Sequence, residues 1–226
     1  MKKIIIYTTE DKIISLHLVN RIISEKIFKD YEFHILLSKP KLVRKLKILL
    51  VLIIFGSIKT FIKNLFNPIS ITQILSKNLN CKIINVVDKK IDYDFGLSVY
   101  CSSKIQLQKF KIYNFHLGNL HNQRGSFIFF YKFLYDWKDI SLTFHEISDR
   151  FDVGKVINQR KIILEKKCKA TDIFFSYLKN QDFLIESINK IGNESGILNK
   201  KFEKLNLVPS ILDLLRNMFK IFLKKF

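Results

Sequence analysis

Glycine, proline and cysteine are scarce in this chain, at 7, 3 and 3 copies in 226 residues. So little glycine and proline excludes collagen-like and low-complexity classes. Cys81, Cys101 and Cys168 are widely spaced and form no C-x-x-C pair. That excludes a disulfide framework and fits a reducing compartment. Long apolar runs are also missing. The longest uncharged one, residues 48–58, has 11 residues, too few to span a bilayer unaided. The opening run Ile4-Ile5-Ile6 soon meets Glu10 and Asp11 and reads as a strand, not a secretory signal. A cytoplasmic protein is expected, with peripheral contact at the inner face of the membrane left open. Acid is absent over a long stretch: residues 33–87 hold no Asp or Glu but nine Lys and Arg.

Hydrophobic residues make up 48% of the chain and Phe alone numbers 21. That is enough for a sizeable core and excludes a disordered chain. The length suits one large domain or at most two small ones. Lys and Arg outnumber Asp and Glu by 39 to 20, giving +19. Such a balance points to an anionic partner, whether nucleic acid, a phosphate-bearing substrate or a membrane surface. A Lys- and Ile-rich compositional bias explains the same excess. No stretch resembles a nucleic-acid module, so nucleic acid is not expected.

Periodicity predicts strands at 3–8, 32–37, 82–87, 95–100, 111–115, 141–147 and 154–163. It predicts helices at 11–28, 41–66 with a break at Gly56-Ser57, 70–78, an aromatic-rich stretch within 124–137, 169–190 and 207–225. Ser38-Lys39-Pro40 closes the second strand, and Pro68 bars a helix from continuing past Asn67. Strands alternating with helices imply an α/β fold: a Rossmann-like, mostly parallel sheet with helices on both faces. No linker or repeat interrupts it. The expected division is 1–165 as the main unit and 166–226 as helices packed on it or appended to it.

Two helical stretches are both basic and apolar. Residues 41–66 are one. In the last, Ile211, Leu214, Leu215, Met218 and Phe222 share a side, with Arg216, Lys220, Lys224 and Lys225 added. Such helices either pack on a sheet with their lysines solvated or lie in a membrane interface.

The chemistry concentrates in 111–163. Asn114 and His116 end a strand two residues apart, so both side chains point into one space. Carboxyl ends of parallel strands are where open α/β sheets build sites. Asp152 lies in a turn between later strands, within reach of that crevice. Imidazole, carboxamide and carboxylate together suit acyl transfer. A histidine shuttles the proton, an amide steadies a developing oxyanion and a carboxylate orients the imidazole. No Ser or Cys nucleophile stands beside them, which favours direct attack by an amine.

The ordered blocks Asn114-Phe115-His116, Leu120, Arg124-Gly125, Ser141-x-Thr143-x-His145 and Asp152-Val153-Gly154 resemble the folate-dependent formyltransferase pattern. That pattern is Asn-x-His, Leu, Arg-Gly, Gly-x-Thr-x-His and Asp-x-Gly. The interval of 36 residues from His116 to Asp152 resembles that of the shorter members. The likeness is firm over 94–163 and weaker before it. It implies Asn114, His116 and Asp152 as catalytic residues. It also implies Ser148, Asp149, Arg150 and Phe151 around the pterin of 10-formyltetrahydrofolate, and His121, Arg124 and Gly125 in the loop beside the acceptor amine. Asp94 resembles an acidic position of the family, and a turn before the strand explains it equally well.

The chain departs from the pattern at His121, where the family has Pro, and at Ser141, where it has Gly. The first strand is followed by Thr8-Thr9-Glu10-Asp11, not by the phosphate-cradling glycine loop expected for glycinamide ribonucleotide transformylase. The β domain of the methionyl-tRNA enzyme and the ACT domain of the deformylase are not expected either. The resemblance is therefore strongest to stand-alone sugar N-formyltransferases of surface polysaccharide biosynthesis, with a small, phosphate-bearing amine as acceptor. Alternatives are methionyl-tRNA or glycinamide ribonucleotide formyltransferase-like activity, or a non-catalytic basic protein binding anionic membrane or nucleic acid on this scaffold. No metal is expected. A zinc set of His116, His121, His145 and Asp152 fits no standard spacing, and His121 and His145 read as structural or pocket-lining. Phe127, Phe129, Phe130, Tyr131, Phe133, Tyr135 and Trp137 form either a helical core face or a stacking surface. The oligomeric state is left open.

Overall fold

A computed structural model describes residues 1–39, 41–66, 68–192 and 205–223. Seven strands form one sheet. They are β1 (Lys2–Thr9), β2 (Tyr31–Ser38), β3 (Cys81–Ile84), β4 (Phe95–Val99), β5 (Ile112–Leu117), β6 (Asp139–Glu146) and β7 (Val156–Ile163). Their order is β3-β2-β1-β4-β5-β6-β7. Strands β1 to β5 are mutually parallel, while β6 runs antiparallel to both β5 and β7. The chain builds outward from β1 in both directions. The C-terminal ends of β1 and β4 therefore flank the point where the winding reverses, the usual place for a site in an open α/β sheet.

The run Ile4-Ile5-Ile6-Tyr7 is buried on both sides, as a central parallel strand requires. Successive residues point to opposite faces, and the core divides accordingly. Ile4, Ile6, Phe33, Leu97, Tyr113, Phe115 and Phe144 join the larger cluster, together with the buried residues of the helices. Ile5, Tyr7 and Ile112 join a smaller one. That second face is covered by connecting segments that carry Ile91, Tyr93, Cys101, Ile105 and Phe110.

The helices are α1 (Ser15–Ile23), α2 (Leu42–Phe55), α3 (Ile58–Leu65), α4 (Ile71–Lys77), α5 (Ile128–Tyr135), α6 (Ala170–Phe174), α7 (Ser176–Lys179), α8 (Gln181–Ile188) and α9 (Ile211–Leu223). Helix α1 starts later than periodicity predicts. Asp11 Oδ1 accepts the N–H groups of Ile13 and Ile14 at 2.7 and 3.0 Å, which holds 11–14 in a turn, and the stretch closes on a separate 3₁₀ turn at Lys26–Phe28. The predicted break at Gly56-Ser57 separates α2 from α3, with Ser57 Oγ capping Thr60 N at 3.3 Å. The expected helix 169–190 is three short pieces. Ser176 Oγ donates back to the Ile173 carbonyl at 2.6 Å, and Asn180 Nδ2 to the Ser176 carbonyl at 2.9 Å, bonds that bend and end helices. Strand β3 stops at Ile84, short of the predicted 87. Pro40, Asn67, residues 224–226 and the side chains of Met218, Lys220 and Phe222 lie outside the described residues. Among the described residues no helix is long and apolar enough to cross a membrane.

Candidate active site

Asn114 and His116 share one face of β5, and the antiparallel register sets His145 of β6 directly opposite Asn114. The β6–β7 turn then brings Asp152 over the pair. Asn114 Nδ2 donates to His145 Nε2 at 3.2 Å and points to Asp152 Oδ1 at 3.5 Å. Asp152 Oδ2 stands 3.9 Å from His116 Nδ1, and Oδ1 stands 3.6 Å from His145 Nε2. One carboxylate thus faces two imidazoles and one amide. Asp152 itself has φ +51°, in the left-handed region that a non-glycine residue enters at a cost.

Backbone groups hold the ring tautomers. The Gln123 carbonyl accepts from His116 Nε2 at 2.9 Å, so that nitrogen carries the hydrogen and Nδ1 keeps its lone pair. The Glu146 carbonyl accepts from His145 Nδ1 at 2.9 Å, which leaves His145 Nε2 as the acceptor for Asn114. Gln123 is itself locked: its Oε1 accepts from Asn119 N and Ser141 N, and its Nε2 donates to the Asp139 carbonyl. Burial pushes the His116 imidazole below its ordinary value, against the opposing pull of Asp152. Burial alone would raise the Asp152 carboxyl. His116, His145 and the Gly125 N–H, which donates to Oδ2 at 2.7 Å, reverse this and hold it well below the usual carboxylate range. At neutral pH the site therefore sets an ionised Asp152 beside the His116 nitrogen that takes up a proton.

Two glycines shape this part of the site. Gly125 has φ +95°, where its N–H reaches Asp152. At Gly154 a Cβ would stand 1.6 Å from the Glu146 carbonyl oxygen, so the return of the chain from Asp152 onto β6 admits no side chain. Arg124 Nη2 donates to the Phe151 carbonyl at 2.8 Å and ties the 119–127 loop to the turn.

These groups line one side of a cavity of about 950 Å³. Thr9 and Ser98 at the ends of β1 and β4 form its floor, and α2 forms another wall with Arg44, Lys45 and Ile48. Ser148, Asp149, Arg150 and Phe151 all line it, as do Gly125, Phe127 and Phe129. The aromatic run thus divides: Phe127, Phe129 and Phe130 are buried in the core, and two of them also border the cavity. His121 is exposed and outside the cavity walls. The structure brings together the expected Asn114, His116 and Asp152 with His145, which lines the cavity as expected and also holds the Asn114 amide; the signal for that bond lies in the strand pairing. Asp94 closes the turn before β4, where its Oδ2 accepts from Lys3 N at 2.7 Å. Among the described residues no group of three or more His, Cys, Asp or Glu is placed to hold a metal ion.

No protein-family model matches this chain, and no curated protein matches it. Solved structures do, over nearly the whole fold, and they define a class: the chain has the fold of the sugar N-formyltransferases. It is similar to the N-formyltransferase from Helicobacter canadensis, solved with folinic acid and dTDP-3-aminofucose. That match has 16% identity, 98% of this chain and 81% of the other covered, and a TM-score of 0.67. A sugar 3N-formyltransferase solved with dTDP and 5-N-formyl-THF matches at 16% identity, with 98% and 79% covered and a TM-score of 0.63. A 4-N formyltransferase from Francisella tularensis matches at 19% identity, with 92% and 76% covered and a TM-score of 0.57.

Proposed function

We propose that the protein transfers the formyl group of 10-formyltetrahydrofolate to the primary amine of a nucleotide-linked amino sugar. The observation that carries this reading is the convergence of Asn114, the lone-pair nitrogen of His116 and ionised Asp152 at one end of a cavity of about 950 Å³. That volume suits two substrates of this size side by side. Ligands held by two of the similar structures, folinic acid with dTDP-3-aminofucose and 5-N-formyl-THF with dTDP, support the same pair of substrates.

In this reading His116 Nδ1 takes the proton from the attacking amine as the new C–N bond forms. It returns that proton to the folate nitrogen as the old C–N bond breaks. Asp152, 3.9 Å away, supports the imidazolium between the two transfers. The Asn114 N–H that spans 3.5 Å to Asp152 is the weaker of its two bonds. It is the one a formyl oxygen captures as charge gathers there. His145 anchors the amide through the other. Ser148, Asp149, Arg150 and Phe151 take the pterin. Gly125 and Arg124 set the loop beside the amine, while Lys12, Lys39, Arg44 and Lys45 on the cavity wall meet the acceptor's phosphates. Residues 1–165 act as the catalytic unit, and α6 to α9 complete it. A cytoplasmic location and a place in surface polysaccharide synthesis belong to the same reading.

The test is direct. The purified chain is incubated with 10-formyltetrahydrofolate and a panel of nucleotide-linked amino sugars. Released tetrahydrofolate is followed by absorbance and the formylated amine by mass spectrometry, with His116→Ala as control. Transfer to at least one acceptor, lost in the variant, is expected. No transfer to any acceptor together with no binding of folinic acid would leave the non-catalytic alternative standing.

A further inference from the structure

Helix α2 presents two unlike sides. Val51 and Leu52 are buried, and Arg44 and Ile48 border the cavity. Leu42, Leu46 and Ile53 form a stripe along the other side at helical spacings of four and seven, and Leu49 between them lies at the edge of the cavity. All four are exposed, Leu42 at 70% and Ile53 at 54%. Val43 and Ile54 widen the stripe; helical geometry puts Lys47 at one margin, and Lys45 at the other borders the cavity. Helix α3 repeats the pattern. Ile62 and the adjoining Phe66, 78% exposed, share a side with Leu65, which also reaches the edge of the cavity, and Lys59 and Lys63 lie next to it. Helix α9 adds exposed Ile211, Leu212, Leu215 and Phe219, with Arg216 alongside. Its one acid, Asp213, lies on the opposite side and accepts from Ser210 Oγ at 2.6 Å. The surfaces adjoin, because Lys47 Nζ donates to the Pro209 carbonyl at 2.5 Å and seats the start of α9 beside α2. Apolar exposure of this extent is more than the scatter of a soluble surface.

The charge decides the occupant. A second copy of the chain would set this surface against itself. It would bring Lys47, Lys59 and Lys63 against their own counterparts, with no Asp or Glu between 33 and 87 to offset them. An apolar stripe edged by lysines, free of acid, matches an interface that is apolar inside and anionic at its surface. We propose that α2, α3 and α9 form a docking surface for an anionic lipid bilayer. The leucine, isoleucine and phenylalanine side chains enter the boundary between headgroups and acyl chains, and the lysines meet the headgroups. This holds whatever the cavity on the other side of α2 binds.

Sedimentation of the full chain with phosphatidylcholine vesicles, with and without about one third phosphatidylglycerol, tests it. Binding is expected only to the anionic vesicles, with release at about 0.5 M salt, where the Debye length is roughly half its physiological value. Leu46→Glu with Ile53→Glu should abolish pelleting. Lys59→Gln with Lys63→Gln should weaken it roughly 30-fold, at about fivefold per lysine. All four positions are exposed, and an unchanged melting temperature checks folding. If the glutamate pair fails that check, the glutamine pair decides. Wild-type protein that stays in solution with anionic vesicles overturns the proposal, as do folded variants that pellet like wild type. So does a wild-type dimer that Leu46→Glu with Ile53→Glu converts to monomer, since the stripe would then be a subunit contact.

Discussion

Replacing Asp152 by Asn keeps the size of the side chain and removes its charge. Asparagine Oδ1 still accepts the Gly125 N–H, so the turn should persist with a loss of about 1–2 kcal/mol, the difference between a charged and a neutral acceptor. For a chain of this length that is a fall of roughly 2–8 °C in melting temperature. The effect on rate should be far larger. A unit charge pair about 4 Å apart is worth about 4 kcal/mol at an effective dielectric of about 20, and the His116–Asp152 separation is 3.9 Å. Withdrawing that support from the imidazolium lowers kcat about a thousandfold. It also moves the acid limb of the kcat/KM profile to lower pH, because His116 loses the anion that opposes its burial. The stability profile changes with a definite sign. Asp152 in the folded protein titrates below its unfolded value of about 3.9. Its contribution is complete at neutral pH, begins to be lost as pH falls below about 4 and goes on being lost down to the depressed folded value, and Asp152→Asn flattens that slope. The assay is formyl transfer across a pH series for wild type, Asp152→Asn, His116→Ala and the double variant. Since Asp152 works through His116, the double variant should be little worse than His116→Ala. Multiplying losses would refute the coupling, and Asp152→Asn with more than a tenth of wild-type kcat would refute the electrostatic argument.

Folinic acid at 100 times its Kd should stabilise the protein by about 2.7 kcal/mol, a rise of roughly 5–10 °C by differential scanning fluorimetry. No rise at millimolar ligand would count against a folate site. Gly154→Ala would set a methyl group 1.6 Å from the Glu146 carbonyl oxygen. The turn must open, so loss of folinic acid binding together with a lower melting temperature is expected. A binding isotherm equal to wild type would contradict the geometry. His121→Ala, at an exposed position off the cavity wall, should leave kcat within about tenfold, or about 1.4 kcal/mol. A larger loss would place that residue at the acceptor after all.

Much of the parallel half was legible because its signals are local. The β-branched run of β1, the helix break at Gly56-Ser57 and the shared direction of Asn114 and His116 on one strand all follow from a few neighbouring residues. Asp152 was legible as a turn residue within reach of β5. The reversal of β6 was not. A strand, an aromatic helix and another strand look like a parallel crossover, and only the pairing of Asn114 with His145 reveals the antiparallel register. His145 reads from the sequence as structural or pocket-lining, which it is, but its bond to the Asn114 amide follows only from that register. Gln123 escaped notice for a related reason: its part depends on contacts with Asn119, Asp139 and Ser141, and nothing in its own neighbourhood announces them. His121 attracted attention only because it replaces a proline of the resemblance, and its side chain sits away from the cavity.

The change of strand direction at β5 also separates two kinds of evolutionary freedom. Asn114, His116, His145 and Asp152 come from one antiparallel unit whose turn geometry tolerates little change. The opposite wall belongs to the end of β1, α2 and the segments that follow β1 and β2, and shares no bond with those four side chains among the contacts described above. In the proposed reaction, acceptor preference can drift on that wall while the reacting groups stay in place. Chimaeras joined between β4 and β5, with the first half taken from a protein of the same fold, offer a way to change the acceptor while keeping the proton-transfer geometry.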